Sequence, residues 1–168
     1  MNFDYLQYRY PSRRSVIFGK KGMVCTSQPL AAQAGLDTLK KGGNVVDAII
    51  TTATCMTVLE PTSNGLGSDA FALYWDAKTQ KLYGLNGSGF APAALTPEAM
   101  QAKGYTAMPD RGWASVTIPG APSAWAELHK RFGKMAFADC LEPAINYAEH
   151  GFPVQPVVGQ LWEEAVET

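Results

Sequence analysis

The stretch LKKGGNVVDAIITTATCMTVLEPTSNGLGSDAFALYWD, residues 39–76, decides the fold. Gly42-Gly43 stops one helix and Asn44 starts the next. The Asn44 side chain can accept from the amide three positions on, and Asp47 can reach back, as in a capping box. Val45 to Leu59 is apolar on nearly all sides, which predicts a helix buried between layers. Glu60-Pro61 ends it. A glycine-rich loop from Thr62 to Asp69 follows. AFALYWD, residues 70–76, is apolar on both faces, the mark of a central strand. Ala77 to Gln80 makes a turn and Lys81 to Leu85 returns, giving a hairpin. Helices together with an antiparallel strand pair predict an α+β fold.

Upstream, Met23 to Thr26 has the apolar character of a short buried strand. Ser27 is placed to cap a helix with Pro29 in its first turn. Leu30 to Lys41 reads as an amphipathic helix with Leu36, Leu39 and its alanines inward. Downstream, Thr96-Pro97-Glu98 opens a short helix ending at Gly104, and Ala114 to Ile118 is expected as a strand. Pro119-Gly120 turns into a helix from about Ser123 to Phe132. Another runs from Phe137 to His150, with Pro143 in its first turns and Gly151 as its stop. Pro153 and Pro156 make a break. A last helix begins near Gln160, and the chain stops inside it, which points to one piece of a longer chain.

The 168 residues are enough for one domain with a core. Hydrophobic residues make up 46% and charged residues 17%, a balance slightly poor in charge that suggests surface covered by another segment. Net charge is −1, from 14 basic and 15 acidic residues that are well mixed. No basic stripe exists, so neither nucleic acid nor a membrane surface is an expected partner. The aromatic, polar start from Met1 to Ser15 lacks the apolar core of a secretory signal. Val45 to Leu59 is too short for a membrane span. Cys25, Cys55 and Cys140 have no CxxC spacing and sit among apolar neighbours. They are expected as small buried hydrophobes in a reducing, cytoplasmic setting, with no metal or cofactor. His129 and His150 have no acidic or cysteine partner at useful sequence spacing and are expected as solvated helix residues. Gly65-Leu66-Gly67 lacks the Lys-Ser/Thr of a phosphate loop and precedes a strand, not a helix.

Several segments, in order and spacing, resemble the γ-glutamyltransferase family. They are Gly22 to Ala31, Leu39 to Ala48 with its GGN-x-x-DA block, and Glu60 to Gly67 with its EP-x-S/T-x-G-x-G block. Pro119-Gly120, Phe132-Gly133, and Glu142 to Ile145 leading to Ala148 to Val154 complete the set. The resemblance implies part of an αββα sandwich of N-terminal-nucleophile hydrolases. Such a precursor cuts itself before a threonine, whose own α-amine then serves as base for its hydroxyl. That threonine would lie on a small subunit or C-terminal remainder outside this chain, so no catalytic residue is assigned here. Residues 1–168 would be the N-terminal part of the large subunit, one incomplete domain with an extension over residues 1–18. The substrate would be a small-molecule amide carrying a γ-glutamyl or related acyl group. Alternatives are an acylase with another acyl group and a non-catalytic scaffold module.

The family pattern carries an arginine after the second strand that would pair with a substrate carboxylate. Here the segment is Asn86-Gly87-Ser88, with Ser88 in the arginine's place. Ser68-Asp69 stands where the family has glycines. Both departures resemble the cephalosporin-acylase-like subgroup. Asn86, Ser88, Ser68 and Asp69 are therefore the substrate-binding candidates, and Arg111 is a candidate replacement cation. Phe90 is expected as a core plug.

Overall fold

A computed structural model describes residues 16–166. The tyrosine-rich start lies outside the described residues, as does most of the expected extension over residues 1–18. Helix α1 spans Pro29–Lys40. Its N-cap is Gln28, one position later than expected: the buried Gln28 Oε1 accepts the Ala31 N–H at 3.0 Å. Ser27 instead donates its hydroxyl to Glu60 Oε2 at 2.7 Å, tying the entry of α1 to the end of the following helix.

Helix α2 spans Val45–Leu59. Its capping box is present: Asn44 Oδ1 accepts from Val46 and Asp47, and Asp47 Oδ2 accepts the Asn44 N–H at 2.8 Å. The buried hydroxyls of Thr51, Thr52 and Thr54 bond to carbonyls of α2 itself, which lets threonines sit inside a helix surrounded by apolar groups.

Strands β1 (Ala70–Asp76) and β2 (Lys81–Gly87) form the hairpin, antiparallel with Ala70 opposite Gly87 and Tyr74 opposite Tyr83. In the turn, Asp76 accepts from the Lys78 N–H and the Thr79 hydroxyl. Those hydrogen bonds, the Thr79 one foremost, hold its carboxyl below the ordinary range. Helix α3 (Pro97–Ala102) is capped by Thr96. Helix α4 spans Ala121–Phe132 and α5 spans Phe137–His150, ended by Gly151 at φ 80°. Pro143 lies inside α5, in its second turn. Helix α6 runs Pro156–Val166, four residues earlier than the sequence suggests, because proline is well suited to a first helical position.

Helix α2 is the hub. One cluster joins it to α1 and α5 through Ala31, Ala34, Cys55, Leu59 and Ala144. The other joins it to α4 and α5 through Val46, Ile50, Ala121, Trp125 and Cys140. The hairpin lays its Tyr74 side against α4, where Phe132 is 4.5 Å from Tyr74 and 5.0 Å from Tyr83, centroid to centroid. Arg131 stacks over Tyr83 at 4.6 Å. The opposite face is bare: Phe71, Leu73, Trp75 and Leu82 are exposed by 66%, 79%, 52% and 62%.

Four expectations are corrected. Met23 to Thr26 joins no ladder, because the described residues offer it no adjacent strand. Cys25 on that segment is exposed, while Cys55 and Cys140 are buried as expected. Ala114 to Ile118 is not a strand; a 3₁₀ turn over Trp113–Ser115 precedes a single bond from Ile118 N–H to Phe90 O. Phe90 is 83% exposed and plugs no core: its backbone is held by the bond from Ile118, while its side chain stands in the open.

Burial pushes the Cys55 thiol up from an ordinary 9.0 to about 12. Burial, and then the Asp47 charge, raise Cys140 as well. The folded chain keeps a proton that the unfolded chain gives up, so this stability is intact below the unfolded value and is lost as pH climbs through the folded one. The unfolding free energy, from urea titrations, is expected to fall between about pH 9 and about pH 12, less steeply in Cys55→Ala. Equal slopes would refute this.

Candidate functional site

The carboxyl end of α2 and the loop after it build one wall of an open cleft of about 480 Å³. Its floor is apolar, from Ile49, Ala53, Met56 and Trp125. Its rim is polar, from Ser27, Glu60, Ser63, Asn64, Ser68 and Asp69. The loop is held by local bonds: Ser63 N–H and Asn64 N–H both donate to Glu60 O, and Ser68 N–H donates to Gly65 O. Ser68 O in turn accepts the Gly120 N–H at 3.2 Å and the Ala121 N–H at 2.8 Å, which pins the loop to the start of α4.

The turn after β2 is drawn to the same point by a glycine pair. A Cβ on Gly120 would fall 2.1 Å from Gly87 O and 2.7 Å from Gly89 N. Only hydrogen on both residues lets residues 87–89 lie against the first turn of α4. Ser68 and Ser88 are therefore carried by adjoining backbone, although they stand twenty residues apart in sequence. Of the five sequence candidates, Ser68 and Asp69 line the cleft. Asn86 is exposed at the end of β2, its Oδ1 turned onto the Ser88 N–H at 3.0 Å, and Ser88 is half-buried beside it. Arg111 is exposed in the loop before Trp113 and does not line the cleft.

The sequence reading missed Glu60 and Ser27. Glu60 was legible in principle: an acid at the C-terminal end of a helix opposes the dipole there, so the position asks for another use. Its partner, 33 residues upstream, was not legible. Among the described residues, the cleft's charged lining is Glu60 and Asp69, with no cation.

A second cluster corrects the reading of His129. Its Nε2 lies 2.9 Å from Met135 O and 3.7 Å from Asp47 Oδ1, and its side chain is only 17% exposed. Asp47, fully buried, also accepts the backbone N–H of Lys134 at 2.9 Å and of Met135 at 3.2 Å. Cys140 completes the group, with its sulfur, an Asp47 oxygen and a His129 nitrogen all within 4.8 Å of one another. These groups fit a clamp better than a metal site. Backbone donors occupy both Asp47 oxygens, and Nε2 must carry a proton to bond Met135 O. His150 conforms to expectation as an exposed helix residue, bonded to Asn146 O.

The gamma-glutamyltranspeptidase family model matches residues 31–168. The chain is 40% identical over 139 residues to the glutathione hydrolase-like YwrD proenzyme of Bacillus subtilis, a match covering 82% of this chain and 26% of that protein. The crystal structure of a cephalosporin acylase from Bacillus halodurans superposes with a TM-score of 0.89 at 60% identity, over 99% of this chain and 31% of the other. Helicobacter pylori gamma-glutamyltranspeptidase superposes with a TM-score of 0.83 at 24% identity, over 90% and 44% respectively, which speaks to the fold alone. The architecture is thus α+β, a portion of the sandwich of N-terminal-nucleophile hydrolases. The chain belongs to the gamma-glutamyltranspeptidase family, and its resemblance to the cephalosporin-acylase-like subgroup holds. It spans about a quarter (26%) of the length of the first two curated relatives. No helix among the described residues is long and apolar enough to cross a membrane.

Proposed function

We propose that residues 1–168 are the N-terminal part of the large subunit of an autoprocessed amidohydrolase or acyltransferase, one incomplete domain with an extension over residues 1–18. The nucleophilic threonine is supplied by the remainder of the polypeptide, and its α-amine takes the hydroxyl proton. The substrate is a small-molecule amide whose acyl group passes to water or an amine. The observation that carries this reading is the match to a proenzyme of which the chain covers only 26%, joined to a hairpin with one face bare. Ser68, Asp69, Asn86 and Ser88 form this chain's side of the acyl pocket, with Arg111 brought in by loop movement or left as a surface residue. Three unpaired thiols fit a reducing, cytoplasmic setting. Intact mass of the full-length product tests the class: a second polypeptide beginning with threonine is expected, and a single uncut chain would overturn it.

A specific observation favours an acyl group other than γ-glutamyl. Ser88 stands where the family's carboxylate-binding arginine is expected, and among the described residues the charged groups lining the neighbouring cleft are Glu60 and Asp69. A hydroxyl cannot neutralise a carboxylate. Ser88→Arg in the full-length protein is expected to raise kcat/KM for a γ-glutamyl anilide by about tenfold or more, the order of one charge-assisted hydrogen bond. Unchanged turnover would show that this position does not set specificity.

A further inference from the structure

The backbone after β2 and the backbone before α4 are locked together, and the large side chains at the lock are apolar and exposed. Ile118 N–H donates to Phe90 O at 2.9 Å, which sets the two residues side by side. Gly89 has φ 70°, and a Cβ there would fall 2.1 Å from Ile118 O. With the Gly87–Gly120 contact, this fixes where residues 87–90 lie. Ser88, in the arginine's place, stands two residues from Phe90 on that fixed turn. Phe90 is 83% exposed and Ile118 54%. Residues 86–92 and 113–120 carry no charged side chain. The loop pinned to Gly120 and Ala121 through Ser68 O adds Asp69, an anion.

We infer that this end of the acyl pocket takes an uncharged, apolar acyl group, laid against Phe90 and Ile118, in place of one that ends in a carboxylate. A carboxylate entering here gives up water and meets a hydroxyl, two apolar side chains and the Asp69 anion. Neither Ser88 nor Asn86 can neutralise it, and Asn86 Oδ1 is already committed to the Ser88 N–H at 3.0 Å. An alkyl or aromatic acyl chain has the reverse balance. It has little hydration to lose and it covers Phe90, gaining about fourfold in binding per methylene buried. Two large apolar side chains on backbone that glycine contacts hold in place offer such a chain a preorganised surface. This substrate class rests on the reading of the full-length protein as an amidohydrolase and names the acyl group for that same pocket.

The test uses the full-length protein and two p-nitroanilides of similar length, hexanoyl and glutaryl. kcat/KM for the hexanoyl anilide is expected to be the higher by about tenfold or more. Equal rates, or a preference for glutaryl, would overturn the inference while leaving the amidohydrolase reading intact. Phe90→Ala is expected to lower kcat/KM about tenfold for the hexanoyl anilide and less than about twofold for the acetyl anilide, which offers a single methyl. Phe90→Leu, which keeps an apolar surface, should recover most of that loss. A loss equal for both acyl lengths, with a lowered melting temperature, would assign Phe90 to packing against the rest of the polypeptide and overturn the inference too. If no anilide is turned over, the amidohydrolase reading fails, and calorimetric titration with the hexanoyl and glutaryl anilides decides the subsite apart from it. Tighter hexanoyl binding then upholds the subsite, while equal binding, tighter glutaryl binding or no binding overturns it.

Discussion

Asp47→Ala is expected to lower stability by about 3–5 kcal/mol, enough to abolish soluble expression of a marginal protein. The carboxylate is wholly buried, and its two oxygens serve three backbone donors: Asn44, Lys134 and Met135. Alanine leaves those part-buried N–H groups without their acceptor, at up to about 1–3 kcal/mol each before relaxation and access of water. It also removes the anion facing His129 and disconnects α2 from the segment joining α4 to α5. Asp47→Asn keeps one acceptor oxygen but points an amide donor at another donor, so an intermediate loss is expected. Urea unfolding of the full-length variants measures both, with Asp37→Ala as control. The Asp37 carboxylate bonds Gln33 and Lys40 at an exposed position, and its removal is expected to cost within about 0.5 kcal/mol. A loss below about 1 kcal/mol for Asp47→Ala would mean the clamp is dispensable.

Gly120→Ala is expected to act on the site more than on stability. The new methyl would meet Gly87 O at 2.1 Å, against backbone that has no rotamer to change. Overpacking of this kind costs about 1–3 kcal/mol. The larger consequence is positional, because the Gly120 and Ala121 amides hold Ser68 and the glycine pair holds the Ser88 turn. Displacing both by about 1 Å is expected to lower kcat/KM for amide turnover by about 100-fold. Gly67→Ala, whose methyl would meet nothing within 4 Å, is the control and should stay near the parent activity. If the two variants behave alike, the glycine contact does not position the site.

The elements whose signals are local came through in the sequence with small shifts. The capping box at Asn44 uses residues three apart, and the hairpin uses a turn of four residues between two strand-forming runs. Those forces act within the segment that displays them. The cap of α1 moved from Ser27 to Gln28 because Ser27 had a distant competitor in Glu60. Part of the site was legible too: Ser68 and Asp69 were singled out and line the cleft. That Arg111 stands outside the cleft wall could not be read from composition, because a loop's path is set by what it packs on.

By itself, the sequence determined where helices start and stop, where the chain doubles back, and which family it joins, because each rests on short-range stereochemistry or on motif order. The tertiary structure alone decided that Asp47, besides closing its capping box, clamps a loop 87 residues away. It alone brought His129 and Cys140 together, exposed Cys25, and joined Ser68 to the Ser88 turn through two glycines. Such roles depend on which backbone donors and which edges become neighbours after packing, and no local pattern of side chains encodes that.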